Sequence, residues 1–452
     1  MGDDCLTAAR DFATVTAEKC HDPYLRCAFY GAAQTVIGIS GCCVLAHSPQ
    51  GCYQLVENAF GWQEEDYTET EILCTKLCED EIVYGGEALL ARTILDAKSL
   101  RVPIIFVLSA CGPEIVGDDI VTVCEEMQPK VDFQLIPIQC AGFRGSQYDG
   151  VDIALDVLLR EMVIHGGEKI DNSICLIAPH ANANPTWMAD LAWVKNVLSN
   201  MGVKVVATLI HRTALKELEN VSTAEKSIVL SHDAGQKAAD FLSKEFGIEQ
   251  LCKGIPLPIG FANTQRWLME LGEMLDAKDA TAKLVAEGEK IVVEQCRRKG
   301  FDLYSLSRLS TAIVADATVG VPLVRFLTED LETIPELICL RSSGKVAGEM
   351  LENELQELKI SPKIIYNIDV YQTKKSLAEV RPRTVFGSNI ERHIVEGLDI
   401  PYVFQLVNPI QRFRMINREY FGYTGILNLI ESIQNDFWDR YRSKRRRYEA
   451  RW

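Results

Sequence analysis

The chain has 452 residues, 47% of them hydrophobic, which is too long for one compact core and predicts two to three α/β domains. With 63 Asp and Glu against 47 Lys and Arg, the formal charge of −16 excludes a generic phosphate-backbone binder, which needs a basic face. No run of about 18 apolar residues occurs, and no basic stretch followed by an apolar one opens the chain, so neither a membrane span nor a secretory signal is expected and the cytoplasm is the expected compartment.

Apolar runs of strand length recur along the chain at Val102 to Leu108, Phe133 to Ile138, Ser173 to Ala178, Val203 to Ile210 and Lys363 to Ile368. Each is followed by a polar turn and an amphipathic stretch, the alternation expected of parallel sheets with crossover helices. Gly166-Gly167 and the polar stretch Arg297 to Asp302 place breaks near residues 168 and 298. The expected organisation is an N-terminal arm over 1–21, α/β domains over 22–167, 168–298 and 299–437, and a basic tail over 438–452. The three domains are read as doubly wound, Rossmann-like parallel sheets.

Ligands of such sheets sit at the carboxyl ends of strands, which draws attention to Ser109-Ala110-Cys111-Gly112-Pro113-Glu114 and the acids Asp118 and Asp119 before a predicted helix. No G-x-G-x-x-G follows a strand and no G-x-x-x-x-G-K-[ST] occurs, so any ATP is expected to be hydrolysed by another protein. Pro179-His180 and Asn182 to Pro185 follow a strand, with turn geometry as their simplest use. The tail carries Arg440, Arg442, Lys444, Arg445, Arg446, Arg447 and Arg451 among Trp438, Tyr441 and Tyr448. Docking on a partner subunit is the expected use of that arm, ahead of nucleic acid.

Fifteen cysteines in a reducing compartment point away from disulfides, leaving metal ligation or small buried hydrophobes. Cys27 opens Cys-Ala-Phe-Tyr-Gly-Ala, Cys52 closes His47-Ser48-Pro49-Gln50-Gly51-Cys52, and Cys111 follows a buried run. Small-residue loops let backbone approach an inorganic cluster, which makes Gly51 and Gly112 candidate cluster-loop residues. The scattered spacing rules out a zinc ribbon or ferredoxin run. Cys74 and Cys78 are read as an i, i+4 pair on a helix face, and Cys42-Cys43 as packing beside the cluster loop.

Several segments together resemble component 1 of nitrogenase, in particular its β-type subunit, over nearly the whole chain. They are Gly38-Ile39-Ser40-Gly41-Cys42 leading to Cys52, Val83-Tyr84-Gly85-Gly86-Glu87, and Cys111-x-x-Glu-Ile-Val-Gly-Asp-Asp, the last being the most specific. The resemblance implies that Cys27, Cys52 and Cys111 are this chain's ligands to a P-type cluster (8Fe-7S) shared with a homologous α-type subunit in an α2β2 complex. A 4Fe-4S cluster is the alternative. Gly142 falls where some β-subunits carry a serine near the cluster, so a serine ligand is not expected here.

Only the α-type subunit of the family holds the catalytic cofactor, and the position of its cysteine falls at about Ser231, with His232 beside it read as a solvated helix-cap histidine. Leu257-Pro258-Ile259-Gly260 with Asn263-Thr264, and Phe421-Gly422-Tyr423-Thr424-Gly425 as a helix start, are similar to β-type elements. No catalytic residue is therefore expected in this chain. The resemblance implies electron relay from a transiently docking, ATP-dependent 4Fe-4S reductase to the α-type partner. The short N-terminal arm, the basic tail and the partial motifs point to a divergent member, for which methylthio-alkane reductase, cleaving C–S bonds, is the expectation. Nitrogenase proper, a tetrapyrrole reductase subunit and a cofactor-assembly scaffold are the alternatives. Neither nucleic acid nor a membrane is expected as a partner.

Overall fold

The computed structural model describes residues 24–62, 70–180, 184, 186–299, 306–342, 344–407 and 416–444. The expected N-terminal arm, residues 445–452 of the basic tail, and Asn182 and Pro185 lie outside these residues.

The first sheet runs β3-β2-β4-β5 and is wholly parallel, with β2 at Cys43–His47, β3 at Glu71–Cys74, β4 at Ile104–Ser109 and β5 at Gln134–Gln139. A two-residue strand β1, Ile39–Ser40, precedes it. Helices α1 (Ala28–Ile37), α2 (Gln50–Trp62), α3 (Glu79–Tyr84), α4 (Glu87–Asp96), α5 (Cys111–Val116), α6 (Ile120–Met127) and α7 (Gln147–Met162) connect or cover the strands. Strands β2 and β4 are buried along their entire length. Their side chains alternate between two cores: Val44, Ala46, Phe106 and Leu108 face α1 and α7, while Cys43, Leu45, Ile105 and Val107 face α4 and α6. Both faces being apolar is what makes these strands read as continuous hydrophobic runs.

Helices α1 and α7 touch backbone to backbone. A Cβ on Gly31 would sit 1.8 Å from the Gln147 carbonyl oxygen, and one on Gly150 would sit 1.9 Å from that of Ala28. No side chain fits at either crossing, so both positions require glycine.

The second sheet runs β10-β9-β6-β7, from β6 (Ser173–Ile177), β7 (Lys204–Leu209), β9 (Lys226–Val229) and β10 (Glu249–Gln250). Its helices are α8 (Trp187–Asn200), α9 (Leu215–Glu219), α10 (Gln236–Phe246), α11 (Phe261–Met274) and the long α12 (Lys278–Lys299). The short strand β8, Thr213–Ala214, leaves this unit and pairs with β1 of the first. Cys175 and Ile177 of β6 share one core with Leu155 and Leu158 of α7, so the two units are packed together.

The third sheet, β13-β12-β11-β14-β15, is the doubly wound order, built from β11 (Ser310–Ala315), β12 (Ile334–Leu340), β13 (Lys363–Tyr366), β14 (Thr384–Gly387) and β15 (Tyr402–Gln405). Helices α13 (Ala317–Arg325), α14 (Lys345–Leu358), α15 (Val370–Val380) and α16 (Asn389–Gly397) flank it, and α17 (Gly422–Lys444) closes the described chain. Helix α7 binds all three units. Tyr148 Oη donates to Asp316 at 2.5 Å in the third, and Asp152 accepts from the Gly235 N–H at 2.8 Å in the second.

The turn before α17 is fastened by one buried carboxylate: Asp190 Oδ1 accepts the Tyr420 and Phe421 N–H groups at 2.7 and 2.9 Å, and Oδ2 the Thr186 hydroxyl at 2.7 Å. Replacing Asp190 by Ala leaves two buried amides unpaired, at about 1–3 kcal/mol each. Asp190→Ala is therefore expected to lower the thermal midpoint by several degrees, read by circular dichroism, whereas an unchanged midpoint would show that this fastening carries no stability.

Candidate cluster site

Every strand of the first sheet delivers a cysteine to its carboxyl edge. Strand β3 ends on Cys74, β2 leads into α2 with Cys52 in its first turn, Cys111 opens α5 after β4, and Cys140 directly follows β5. Cys27 enters from outside the sheet as the residue before α1. It is held by an antiparallel bridge to Ser146, with the Ala28 N–H donating to the Gly145 carbonyl at 2.9 Å and the Gln147 N–H to that of Arg26 at 2.7 Å.

The thiols of Cys27 and Cys111 both lie beside Gly142. A Cβ there would be 3.2 Å from Cys27 Sγ and 3.0 Å from Cys111 Sγ, and the Gly142 N–H donates to Cys111 Sγ at 3.1 Å. Glycine at this position thus leaves room for the two sulfurs and aims an amide at one of them. The Cys52 thiol pKa is pushed up by burial and then by Cys111, Cys27 and Cys74 nearby, because four charges of one sign would share the space. These thiols are partly open, unlike Cys42, Cys43, Cys124, Cys140, Cys175, Cys252 and Cys339, which are buried.

The donor set fits an iron–sulfur group in softness and access, because thiolate sulfur is the ligand such iron prefers and these thiols are partly open. Among the described residues no three His, Cys, Asp or Glu side chains are grouped closely enough to hold a single metal ion.

The loops that carry these cysteines are held by carboxylates. Glu114 Oε1 accepts the Ser109 hydroxyl at 2.5 Å and the Ala141 N–H at 3.0 Å, and Oε2 pairs with Arg144 Nε at 2.7 Å. That ties the Cys111 loop to the Gly142 loop. Asp118 accepts the Gly86 N–H at 2.9 Å and pairs with His47 Nε2 at 3.0 Å. On the other side of the ring, His47 Nδ1 lies 3.2 Å from Thr75 Oγ1, which also receives the Ser48 N–H. Burial pushes the His47 pKa down against the pull of Asp118, so the neutral ring donating from Nε2 to Asp118 and accepting at Nδ1 is the form assigned by its partners. Asp119 caps α6, accepting from the Val121 and Thr122 N–H groups at 3.1 Å. Only one of the two acids therefore serves the helix N-terminus; Asp118 turns back to bind the neighbouring loops.

Sequence reading missed Cys74 as a neighbour of Cys52. Cys74 and Cys78 do not share a helix face: Cys74 ends β3, Lys76 adopts φ 59°, and Cys78 precedes α3. Cys74 Sγ lies 3.6 Å from Ser48 Oγ and accepts the Lys76 N–H at 3.3 Å. Cys42 and Cys43 sit at the amino end of β2, away from the cysteine edge, in the two cores on opposite faces of the sheet. At Gly112 a Cβ would meet only the tip of the exposed Ile82 side chain, at 2.9 Å from Cδ1, which can move aside. Gly51, in the first turn of α2, faces open space.

The corner around Ser231 is filled by the protein itself. Asp233 accepts the Ala317 and Thr318 N–H groups at 2.9 and 2.8 Å, and the Ser342 hydroxyl also donates to it. Ser231 Oγ lies 3.0 Å from Thr318 Oγ1. His232 is not a solvated cap: its Nε2 accepts the Leu257 N–H at 3.1 Å, and burial pushes its pKa down to about 3. The adjacent cavity, lined by His180, Trp187, Leu230 and Thr318, measures about 30 Å³, room for a water. His180 stacks on Trp187 at 4.0 Å there. Pro258, Asn263 and Thr264 act structurally: Thr264 Oγ1 donates to the Gly260 carbonyl at 2.6 Å, and Asn263 Nδ2 to that of Pro322 at 2.9 Å.

Asp118→Ala removes the acceptor of two buried donors, and a loss of about 2–4 kcal/mol follows, with a lower unfolding midpoint and less iron retained per purified complex. An unaltered midpoint and iron content would show that the loops are fixed by other contacts. His232 titrates in the unfolded chain near its ordinary 6.5 and in the folded chain at about 3. Its contribution is thus complete above pH 6.5 and lost as pH falls toward 3. His232→Gln, which keeps an acceptor but cannot titrate, is expected to flatten the decline of thermal midpoint between pH 6.5 and 4.

Residues 27–437 match the family described as nitrogenase component 1 type oxidoreductase. The chain is 24% identical over 451 residues to the nitrogenase iron-iron protein beta chain of Rhodobacter capsulatus, covering 92% of this chain and 93% of that one. It is also 24% identical over 427 residues to the nitrogenase iron-molybdenum cofactor biosynthesis protein NifE of Clostridium pasteurianum, covering 91% and 88%. Among solved structures, one titled nitrogenase Cp1 at pH 6.5 shares the fold, with a TM-score of 0.79 at 18% identity over 94% of each chain. The family match spans all three sheets and the cysteine edge, and the chain belongs to the nitrogenase component 1 type oxidoreductases as a β-type subunit.

Proposed function

We propose that this subunit relays electrons through a cluster held at Cys27, Cys52 and Cys111 and shared with a homologous α-type partner. The observation that carries this reading is the convergence of partly open thiols at one sheet edge, in a chain whose Ser231 corner is closed by its own hydrogen bonds. A P-type 8Fe-7S cluster bound there would supply storage and transfer of electrons at low potential. Cys27 and Cys111 would hold it from beside Gly142, Cys52 from the first turn of α2, and the Gly142 amide would donate to sulfur, which tunes potential.

Around these thiols Val83, Tyr84, Ile115 and Phe143 are 67%, 86%, 73% and 61% exposed, an apolar apron suited to a permanent partner chain. Covering the apron would also remove water from the thiols. The remaining parts of the proposal are an α2β2 complex, a transient ATP-dependent 4Fe-4S reductase, and chemistry carried out in the α-type partner. Reductive C–S cleavage of methylthio-alkanes is the substrate reading, supported by the divergence from nitrogen-fixing β chains at 24% identity. A cofactor-assembly scaffold is the second reading, favoured by equal identity to the biosynthesis protein.

Iron and sulfide per anaerobically purified complex test the relay. Roughly eight interface irons per subunit pair, lost in Cys52→Ala and in Cys111→Ala with the complex still associated, is the expected result. Roughly four would indicate a shared 4Fe-4S cluster, and none in a folded, partner-bound chain would end the relay reading. Turnover of a methylthio-alkane by the reductase-supplied complex separates the enzyme from the scaffold, which would release cofactor instead.

A further inference from the structure

Cys74 stands on the cysteine-bearing edge with no part in the relay. It closes β3 at the carboxyl end, where an open parallel sheet holds its ligands. The sheet register pairs it with Ala46 of β2, the strand that leads through Ser48 to Cys52. Its sulfur rests on that same connection, donating to the Ser48 carbonyl at 3.4 Å and lying 3.6 Å from Ser48 Oγ. After burial, Cys111 and Cys27, Cys74 is the further group that pushes the Cys52 thiol up, so the two sulfurs share one space.

A cysteine that binds nothing is ordinarily a small buried hydrophobe. Cys74 is not one. It is partly open and packs against none of the four apolar cores of the described residues, although Leu73 beside it lies against one of them.

Among the described residues two cysteine sulfurs accept a backbone N–H: Cys111 from Gly142 at 3.1 Å and Cys74 from Lys76 at 3.3 Å. An amide aimed at sulfur serves a ligated thiolate, whose charge it offsets. On ligation the thiol proton leaves for solvent, and the bond given up is the weak S–H contact to the Ser48 carbonyl. That carbonyl keeps the Leu77 N–H at 3.1 Å, and Ser48 Oγ can turn to donate to the sulfur. Cys78, across the same turn, is exposed, and its sulfur instead donates to the Lys76 carbonyl at 3.4 Å.

We infer that Cys74 is a fourth thiolate ligand from this chain, binding iron beside Cys52 in the cluster proposed above, an inference that rests on the relay reading. Four sulfurs would let this chain fill every terminal position of a 4Fe-4S cluster by itself, or hold more than an equal share of a larger one.

The test uses the anaerobically purified complex, read by iron content, EPR and midpoint potential. Cys74→Ala is expected to lose iron. Cys74→Ser, which keeps a ligand but exchanges sulfur for oxygen, is expected to hold iron with shifted g values and a shifted potential. Cys78→Ala is expected to match wild type in all three. In a second measurement iodoacetamide labels the wild-type complex before and after its iron is chelated away, and Cys74 is expected to be shielded before and modified after, as Cys52 and Cys111 are. Wild-type g values and potential in Cys74→Ser would overturn the inference, as would equal labelling of Cys74 with and without iron, or the same spectral shift in Cys78→Ala. In each of those cases loss of iron from Cys52→Ala leaves the relay reading standing, whereas a wild-type complex without iron ends both.

Discussion

Two buried carboxylates, Glu114 and Asp118, hold the cysteine-bearing edge of this subunit together. Between them they accept from or pair with Ser109 and His47 at the ends of two strands, Ala141 and Arg144 on the loop after β5, and Gly86 before α4. A carboxylate accepting several donors at once is worth more than the same bonds made singly, because its desolvation is compensated by all of them together. The cysteine-bearing loops therefore have fixed positions that do not depend on the thiols.

The segment Cys111 to Asp119 stood out in the sequence, but its physical logic did not. Cys-x-x-Glu-x-x-x-Asp-Asp looks like acids leading into a helix, and only Asp119 serves that purpose. Glu114 reaches residues 141 and 144, and Asp118 reaches residues 47 and 86. Contacts at such separations leave no local periodicity to read. Strands β4 and β6 were legible because they are buried along their whole length, and β5, β7 and β13 because they are short apolar-rich runs bounded by polar turns. Cys43–His47 and Glu71–Cys74 were not, since their cysteines and polar flanks resemble loops, and Cys74 with Cys78 imitates a helical spacing across a turn at Lys76.

The second and third sheets meet at a corner of quite different character. Where an enclosed cofactor would need space, Asp233 ties down the start of α13, Ser342 joins it, and His232 fixes the Leu257 backbone. The histidine that sequence reading took for a solvated helix cap is buried against Leu257, and Ser231 is bonded to Thr318. The same fold thus places an open edge of thiols at one end and a closed polar knot at its centre.

Because the frame of the cysteine edge rests on Glu114, Asp118 and the backbone contact of Gly31 with Gly150, the thiols bear little of the mechanical load. The order of biogenesis follows. The polypeptide can acquire its shape first, and a cluster of the kind proposed would be received afterwards, as a socket receives a plug. Oxidative loss of such a cluster would leave a socket still shaped for repair, to be refilled without passing through an unfolded chain.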